Sequence, residues 1–268
     1  MINLKNTTFI IPLCIESPDR MNNSKIVLGF LNHHFNTNVI IHEITNNETK
    51  LNFLNELKNL NIHHIIEKSD MTKYHRTRQL NEMLNIVDTD IVVNYDIDIV
   101  LPVESYVKSC EMILNEKCDV VYPYGDGVFQ KRVFTSFDRY EFNKTFEINL
   151  LKNDKFNSDM WNAKHGHCIF FKSDVYKKSS GENENFIAYG PEDTERFERF
   201  TKLGFNICRV DDVLFHFEHS RTSFSDYSNH FFNDNFLLYQ KLNKMSKEET
   251  IDYYNNIEYK QKYKTFNK

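Results

Sequence analysis

Carboxylates and imidazoles are concentrated in three separated segments of this 268-residue chain. The segments are Asp-Ile-Asp at 96–98, Glu-Asp at 192–193 and His-Phe-Glu-His at 216–219. Carboxylate and imidazole groups together can hold a divalent cation, and a fixed carboxylate can accept a proton from an attacking hydroxyl. We therefore expect a metal site with acid–base chemistry, provided that the fold brings the three segments together.

The first segment follows an apolar run of strand length, Ile91 to Tyr95. Side chains two positions apart point to opposite faces of a strand, but a turn can bring one carboxylate of Asp96 and Asp98 onto a cation and the other onto a sugar or ribose hydroxyl. A cation there would neutralise a diphosphate and stabilise it as a leaving group. Short acidic patterns also arise by chance, so the prediction depends on the position of this one after a strand.

His216 and His219 could be packing or surface residues, as most single histidines are. Imidazole also suits manganese-like and zinc-like ions, and both rings can meet one cation if the backbone turns between them. With Asp98 they would form a mixed carboxylate and imidazole site. Such a site favours Mn²⁺, with Mg²⁺ as the alternative.

Glu192 and Asp193 follow Tyr-Gly-Pro and open a predicted helix. Carboxylates are favoured at a helix start by the helix dipole and by free N–H groups, so capping is one interpretation. A carboxylate that faces a cavity from this position could also act as a general base. Neighbouring residues can fill both roles.

Composition narrows the classes of function. A net charge of −5 and a pI near 6.1 argue against a nucleic-acid partner. Five scattered cysteines without a Cys-x-x-Cys pair indicate reduced core residues and a reducing compartment. No run approaches the roughly 18 apolar residues of a membrane span, so we expect no transmembrane segment.

Strand-like and helix-like patterns alternate through the first hundred residues. This alternation predicts an α/β fold, with a mostly parallel central sheet and flanking helices. Ligands of such sheets bind beyond the carboxyl ends of the strands, where the loops with Arg20, Glu43 and Asp96 would lie. Segment 122–157 lacks a clean period and is interpreted as loops and short elements around an acceptor groove. Past Arg221 the pattern is helical, which predicts a catalytic domain over 1–225 and a C-terminal helical extension over 226–268.

Five ordered motifs carry a family resemblance. They are the segments 74–81, 91–102 and 189–193, the glycine at 166, and His-Ser-Arg at 219–221. In order and spacing they resemble the β-1,4-galactosyltransferases, and the chain is similar to the galactosaminyl-transferring domains of bacterial chondroitin-type polymerases. The resemblance covers roughly residues 7–225. It implies an inverting enzyme of the GT-A fold.

The resemblance also implies residue roles. Asp98 and His219 would be metal ligands, with His216 in the place of a methionine ligand, while Asp193 would be the catalytic base and Glu192 its sugar-contacting neighbour. The expected donor-binding residues are Pro12, Arg20, Glu43, Arg76, Asp96, Gly166 and Tyr189. The loop from Cys14 to Arg20 departs from the basic uridine-binding stretch of the family, and Tyr189 replaces a tryptophan.

These expectations combine into a metal-dependent glycosyltransferase. It would move a hexose or N-acetylhexosamine, of galactose or GalNAc type, from a UDP-sugar to a glycan or lipid-linked saccharide in surface polysaccharide synthesis. We expect a cytoplasmic location at the inner face of a membrane, with peripheral membrane contact. One alternative is a metal-dependent nucleotidyltransferase, which would normally carry a basic, glycine-rich loop where only Arg20 is found. The other is a non-catalytic sugar-binding module, which has no need of a base.

Overall fold

Two sheets form the framework of the protein. The computed structural model describes residues 1–46, 48–70, 74–126, 129–134, 137–153, 155, 157–160, 164–222 and 225–259. The strands are β1 (Ile2–Cys14), β2 (Phe35–Thr45), β3 (Leu60–Lys68), β4 (Ile91–Tyr95), β5 (Ile99–Val100), β6 (Val120–Tyr122), β7 (Gln130–Val133), β8 (Asn157–Asp159), β9 (Cys168–Lys172), β10 (Ile207–Arg209) and β11 (Leu214–Phe217). The helices are α1 (Pro18–His34), α2 (Arg76–Ile86), α3 (Val103–Leu114), α4 (Phe137–Thr145), α5 (Ile148–Leu151), α6 (Ser173–Lys178), α7 (Glu192–Leu203), α8 (Phe232–Asn243) and α9 (Lys247–Asn256), with a 3₁₀ turn at Asn52–Glu56.

The larger sheet has seven strands in the order β10-β6-β9-β4-β1-β2-β3. Its pairs are parallel except where β9 runs antiparallel to β4 and β6. The central strands are apolar and buried on both faces, as expected for strands covered by helices on either side. The predicted α/β architecture with a mostly parallel sheet is therefore confirmed.

A smaller sheet of four strands has the order β5-β11-β7-β8. Strand β11 pairs antiparallel with β5 and parallel with β7, which places His216 opposite both Ile99 and Arg132. This pairing joins the residues just after β4 to the histidine segment. The two sheets thus meet where the sequence predicted chemistry.

Local sequence explains where one helix that matters for the site begins and where another ends. Apolar spacing predicts a helix from Ser24 to about His34, but helix α1 begins earlier, at Pro18, because the Ser17 side chain accepts a hydrogen bond from the Arg20 N–H at 3.3 Å. Proline is favoured at this first position since its missing N–H would have no partner there. The sequence predicts a helix from Glu192 to Leu203 that Gly204 stops, and α7 ends there, with Gly204 at a φ of 88° that only glycine adopts readily.

Two sequence predictions are corrected by the structure. The helical apolar spacing from Leu51 to Leu60 predicts a helix, but the structure has only the short 3₁₀ turn, none of whose residues is buried, so packing does not stabilise a longer helix there. Cys118 and Cys208 form a disulfide, so the expectation of five reduced cysteines is wrong for these two. They are 90 residues apart in sequence but meet through the pairing of β6 with β10. The other three cysteines are free and buried.

The C-terminal helices α8 and α9 contact α7 and the segment that precedes it. Tyr254 of α9 donates a hydrogen bond to Glu195 at 2.6 Å and accepts one from Asn183 at 2.9 Å. The spacing of Ser246 and Glu249 in the sequence predicts a capping box, and this capping box begins α9. Among the described residues, no helix combines the length and apolar character that a membrane crossing requires. The boundary between domain and extension stays a prediction.

Candidate active site

A cavity of about 800 Å³ opens at the carboxyl ends of β1 and β4. All but one of the predicted site residues line it. These are Pro12, Arg20, Arg76, Asp96, Asp98, Gly166, Tyr189, Glu192, Asp193, His216 and His219. The segments 96–98, 192–193 and 216–219 therefore all contribute side chains to one cavity.

Glu43 is the residue that does not line the cavity. It lies in β2, is 1% exposed, and accepts hydrogen bonds from Thr49 Oγ1 at 2.6 Å and His64 Nε2 at 2.9 Å. The Glu43 carboxylate therefore accepts hydrogen bonds from neighbouring side chains and is not part of the cavity lining.

Asp98, His216 and His219 form a cluster whose ligand atoms all lie within 4.8 Å of one another. Asp98 Oδ2 is 3.0 Å from His219 Nε2, and Asp98 Oδ1 is 3.6 Å from His216 Nε2. The turn between β4 and β5 carries Asp98, and the antiparallel pairing of β5 with β11 brings the histidines to it. Oxygen and nitrogen atoms at this spacing can surround one cation.

Hydrogen bonding in this cluster fits a cation. His219 Nδ1 lies 2.8 Å from the Ser220 carbonyl, which can only accept, so Nδ1 is the donor there and Nε2 is directed at the Asp98 carboxylate, 3.0 Å away. Burial lowers the pKa of His216 to about 4, so this ring is neutral near pH 7. The Asp98 carboxylate and the two imidazole Nε2 atoms therefore provide oxygen and nitrogen ligand atoms for a cation bound between them.

Asp96 is held beside this cluster by Arg76, the first residue of α2. Arg76 Nη2 donates to Asp96 Oδ1 at 2.9 Å, and the Asp96 N–H donates to the His167 carbonyl at 2.8 Å. Arg76 Nη1 also lies 3.6 Å from Asp193 Oδ1. The Arg76 guanidinium therefore links Asp96, just after β4, to Asp193 in the first turn of α7.

The two oxygens of Asp193 have different surroundings. Oδ1 accepts a hydrogen bond from Arg196 Nη2 at 2.9 Å and faces Arg76, whereas Oδ2 lies over Gly166, where an added Cβ would come within 2.8 Å. Arg196 is fixed in turn by Glu182 Oε1 at 2.7 Å and by the His165 carbonyl at 2.8 Å. The guanidiniums orient Oδ1, so Oδ2 remains to meet a substrate proton.

Glu192 differs from its neighbour in protonation. Burial and the adjacent Asp193 carboxylate raise the pKa of Glu192 to about 8. Its Oε2 is buried and has no hydrogen-bond partner in the described part of the chain. Glu192 therefore lines the cavity as a largely neutral acid near pH 7, able to donate a hydrogen bond to a ligand.

Tyr189 belongs to an aromatic wall that the C-terminal helices support. Its ring lies 5.0 Å from that of Tyr227 and stacks with Phe232 of α8 at 6.1 Å. Its carbonyl accepts from Asn229 at 3.0 Å and from Asn235 at 3.1 Å. Aromatic faces of this kind pack well against sugar rings.

Several lining residues were not predicted from sequence. They are Tyr74, Arg132, Lys164, His165, His167, Arg221 and Tyr227. Some are neighbours of quoted motifs, so Arg221 could have been found beside His219, and His165 and His167 beside Gly166. Arg132 lies in the segment without a clean period, and nothing in its local sequence marks it.

Comparison with known proteins gives one family match. Residues 150–222 match the family described as the N-terminal domain of galactosyltransferase, a span that contains Gly166 and the segments 189–193 and 216–219. No curated protein sequence matches the chain.

Solved structures give the fold. S. aureus TarS residues 1–349, solved with UDP-GlcNAc, match with a TM-score of 0.53 and 11% identity over 82% of this chain and 60% of that one. The catalytic domain of Drosophila β1,4-galactosyltransferase 7 with xylobiose has a TM-score of 0.43 and 12% identity, covering 82% and 72% of the two chains. The mannosyltransferase PcManGT from Pyrobaculum calidifontis, with GDP-Man and Mn²⁺, has 0.46 and 15%, covering 80% and 56%. This chain therefore spans less than two thirds of the TarS and mannosyltransferase chains.

The likeness to TarS, together with the sheet order, identifies the GT-A glycosyltransferase fold that the sequence predicted. The family match over residues 150–222 includes the lining residues from Met160 to Arg221, and it agrees with that fold. Together they support a glycosyltransferase.

Proposed function

We propose that this protein is a metal-dependent inverting glycosyltransferase that moves a hexose or N-acetylhexosamine from a UDP-sugar to a glycan hydroxyl. The observation that carries the proposal is a single cavity lined both by the Asp98, His216 and His219 cluster and by Asp193, whose Oδ2 accepts no hydrogen bond from the described residues. A cation site and a carboxylate base are the two parts that such a transfer needs. A sugar-binding module would require neither.

Each residue has a role in this reaction. When bound, Mn²⁺ or Mg²⁺ would supply charge stabilisation to the diphosphate leaving group, held by Asp98, His216 and His219. Asp193 Oδ2 accepts the proton of the acceptor hydroxyl as its oxygen attacks the anomeric carbon from the side opposite the leaving group. Arg76 and Arg196 keep Asp193 in place through Oδ1, while Asp96 and neutral Glu192 hydrogen-bond hydroxyls of the sugar. Attack opposite the leaving group inverts the anomeric configuration.

Donor and acceptor follow from the same cavity. TarS was solved with UDP-GlcNAc, which supports a UDP-linked N-acetylhexosamine or hexose as donor, with galactose or GalNAc as the first sugars to test. Pro12, Arg20 and Tyr74 line the cavity and would contact the nucleotide, whereas Gly166 and Tyr189 would contact the transferred sugar. The acceptor would be a glycan or a lipid-linked saccharide used in surface polysaccharide synthesis.

The test measures nucleoside diphosphate release from a panel of UDP- and GDP-sugars, with Mn²⁺, with Mg²⁺ and with EDTA. Three variants accompany the wild type: Asp98→Asn, Asp193→Asn, and the control Asp159→Asn, whose carboxylate is 63% exposed and outside the cavity. We expect cation-dependent release from one donor, abolished by Asp98→Asn, lowered at least about 100-fold by Asp193→Asn, and unchanged by the control.

A thermal-shift titration with Mn²⁺ provides a readout independent of turnover. At 100 times its dissociation constant a bound ion adds about 2.7 kcal/mol to the stability of the folded state. The wild type should gain this stabilisation and Asp98→Asn should not. Equal stabilisation of both proteins would refute the metal site, and activity unchanged by Asp193→Asn would refute the base.

A further inference from the structure

A second group of metal-ligand side chains lies outside the cavity, between β2, β3 and α2. His42 in β2, Glu67 in β3 and Glu82 in α2 place a ring nitrogen and two carboxylate oxygens within 4.8 Å of one another. None of the three residues lines the cavity. Strand β1 separates β2 from β4, which puts roughly 10 Å between this group and the strand that leads to Asp98. The group is therefore distinct from the proposed cation site of the cavity.

One nitrogen of the His42 ring has a partner. His42 is 2% exposed, and its Nε2 lies 3.1 Å from Glu67 Oε2. Burial by itself would raise the pKa of Glu67, but hydrogen bonding to Arg78 and the charge of Arg78 outweigh it and the pKa is lowered. An ionised carboxylate can only accept, so His42 Nε2 donates to Glu67.

The other nitrogen of this ring has none. His42 Nδ1 is buried and has no hydrogen-bond partner in the described part of the chain, and it lies 3.5 Å from Glu82 Oε2. Burial outweighs the nearby carboxylates and lowers the pKa of His42, which favours a neutral ring with a lone pair on Nδ1. A buried lone pair then faces a carboxylate oxygen, and a cation between the two atoms would satisfy both.

Arg78 neutralises only part of the group. Its Nη2 donates to both oxygens of Glu67, at 2.7 and 2.8 Å, and its Nη1 donates to Glu82 Oε1 at 3.0 Å. Glu82 Oε2 accepts no hydrogen bond from the residues that the structure describes. Two carboxylates with one guanidinium and a neutral imidazole leave a net negative charge. The atoms without a partner are therefore also where a further positive charge is attracted.

The spacing of those atoms suits a zinc-like ion. Tetrahedral Zn²⁺ lies about 2.0–2.2 Å from nitrogen and oxygen ligands, which separates two of its ligands by roughly 3.3–3.6 Å. The 3.5 Å between His42 Nδ1 and Glu82 Oε2 falls in this range. Metal-bound histidines almost always donate their other ring N–H to a carboxylate or carbonyl, as His42 does to Glu67.

We propose that His42 Nδ1 and Glu82 Oε2 bind a second divalent cation, with Glu67 orienting the imidazole. A mixed imidazole and carboxylate pair favours Zn²⁺ over Mg²⁺. The side chain of Glu82 is 32% exposed, so water can complete the coordination. The ion connects β2 to α2, where Gln79 Nε2 already donates to the His42 carbonyl at 2.8 Å. Its role is to hold α2 on the sheet, apart from any chemistry in the cavity.

The test measures Zn²⁺ and Mg²⁺ binding by isothermal titration calorimetry on tag-free protein at pH 7.5. Every protein carries Asp98→Asn, which removes the carboxylate of the cavity cluster. To this background we add Glu82→Gln, His42→Gln or Arg78→Met. The matched control is Glu141→Gln, because Glu141 is also 32% exposed and pairs with a cation on its own helix at 3.0 Å. Melting temperatures with and without Zn²⁺ provide a second readout.

We expect the background protein to bind one Zn²⁺ ion that Glu82→Gln and His42→Gln each weaken by at least about 10-fold. Zn²⁺ should raise the melting temperature of the background protein and of the Glu141→Gln control, but not that of the two ligand variants. Arg78→Met should bind Zn²⁺ at least as tightly, because it removes a competing positive charge and leaves both ligands. Mg²⁺ should bind more weakly than Zn²⁺.

Three results would overturn the proposal. The first is the absence of saturable Zn²⁺ binding in the background protein. The second is equal binding with and without Glu82→Gln, which would assign the ion to other histidines of the chain. The third is loss of binding in a folded Arg78→Met protein, since the guanidinium should compete with the ion. Donor cleavage and its dependence on Asp98 test the proposed function separately, so either can fail alone.

Discussion

Replacement of Arg196 by methionine should strongly destabilise the protein. The side chains of Arg196 and Glu182 are each 1% exposed, and the guanidinium donates to Glu182 at 2.7 Å, the His165 carbonyl at 2.8 Å and Asp193 at 2.9 Å. Burial by itself would raise the pKa of Glu182, but the Arg196 guanidinium and the hydrogen bonds outweigh it and the pKa is lowered. Arg196→Met would leave a buried carboxylate without its cation.

Loss of one partner of a buried ion pair costs about 3–5 kcal/mol, because the remaining charge stays out of water. Of a total stability on the order of 5–15 kcal/mol, this is a large part. Glu182 would keep its hydrogen bonds from Tyr176 at 2.5 Å and Asn94 at 3.0 Å, which places the expected loss at the lower end of that range. The double variant Glu182→Gln with Arg196→Met removes both charges, and we expect it to be about 2 kcal/mol more stable than Arg196→Met alone.

Urea unfolding of the wild type, both single variants and the double variant measures this coupling, with the free energy extrapolated to water. Lys164→Met serves as the control, since its half-exposed pair with Asp126 should change stability by less than about 1 kcal/mol. A double variant that loses the full sum of the two single losses would refute the reasoning. So would an Arg196→Met protein as stable as the wild type.

Two further predictions concern neighbours of Asp193. The pKa of Glu192 is raised from 4.5 to about 8, so the stability that its protonated form contributes is complete below pH 4.5 and is lost as the pH rises through 8. Between pH 5 and pH 9, unfolding measurements should therefore show the wild type losing on the order of a few kcal/mol relative to Glu192→Gln; parallel curves for the two proteins would contradict the raised pKa. Gly166→Ala would place a methyl group 2.8 Å from Asp193 Oδ2 and displace the carboxylate, so that kcat falls by about 100-fold while the melting temperature changes little. An alanine variant with normal kcat would show that Oδ2 is not the proton acceptor.

The residue types of the site and the class of fold were easier to predict from the sequence than the contacts that individual side chains make. The acidic pair at 96–98, the Glu-Asp at 192–193 and the two histidines were each recognisable because their residue types and flanking patterns are local. Alternating apolar patterns predicted the α/β fold for the same reason, since burial of a strand or a helix face depends on residues close in sequence. The cavity brings these predicted residues together, apart from Glu43.

Glu43 illustrates the limit of a strand-end argument. Its place in β2 was consistent with a ligand contact, but the side chains of His64 and Thr49 use its carboxylate. Whether a side chain at a strand end turns toward a ligand or a neighbouring strand depends on the residues packed beside it. Those residues come from β3 and from the loop after β2, and their approach is not encoded near position 43.

Residue types and local periodicity in the sequence by themselves determined the kind of chemistry and the class of fold. Tertiary structure decided which charges remain free: it pairs Arg196 with Glu182, joins Cys118 to Cys208 and places Arg132 beside His216. The physical reason is that pairing between distant strands and helices sets the distance between charges, and the electrostatic energy of a group depends on that distance and on its burial. Local sequence contains neither quantity.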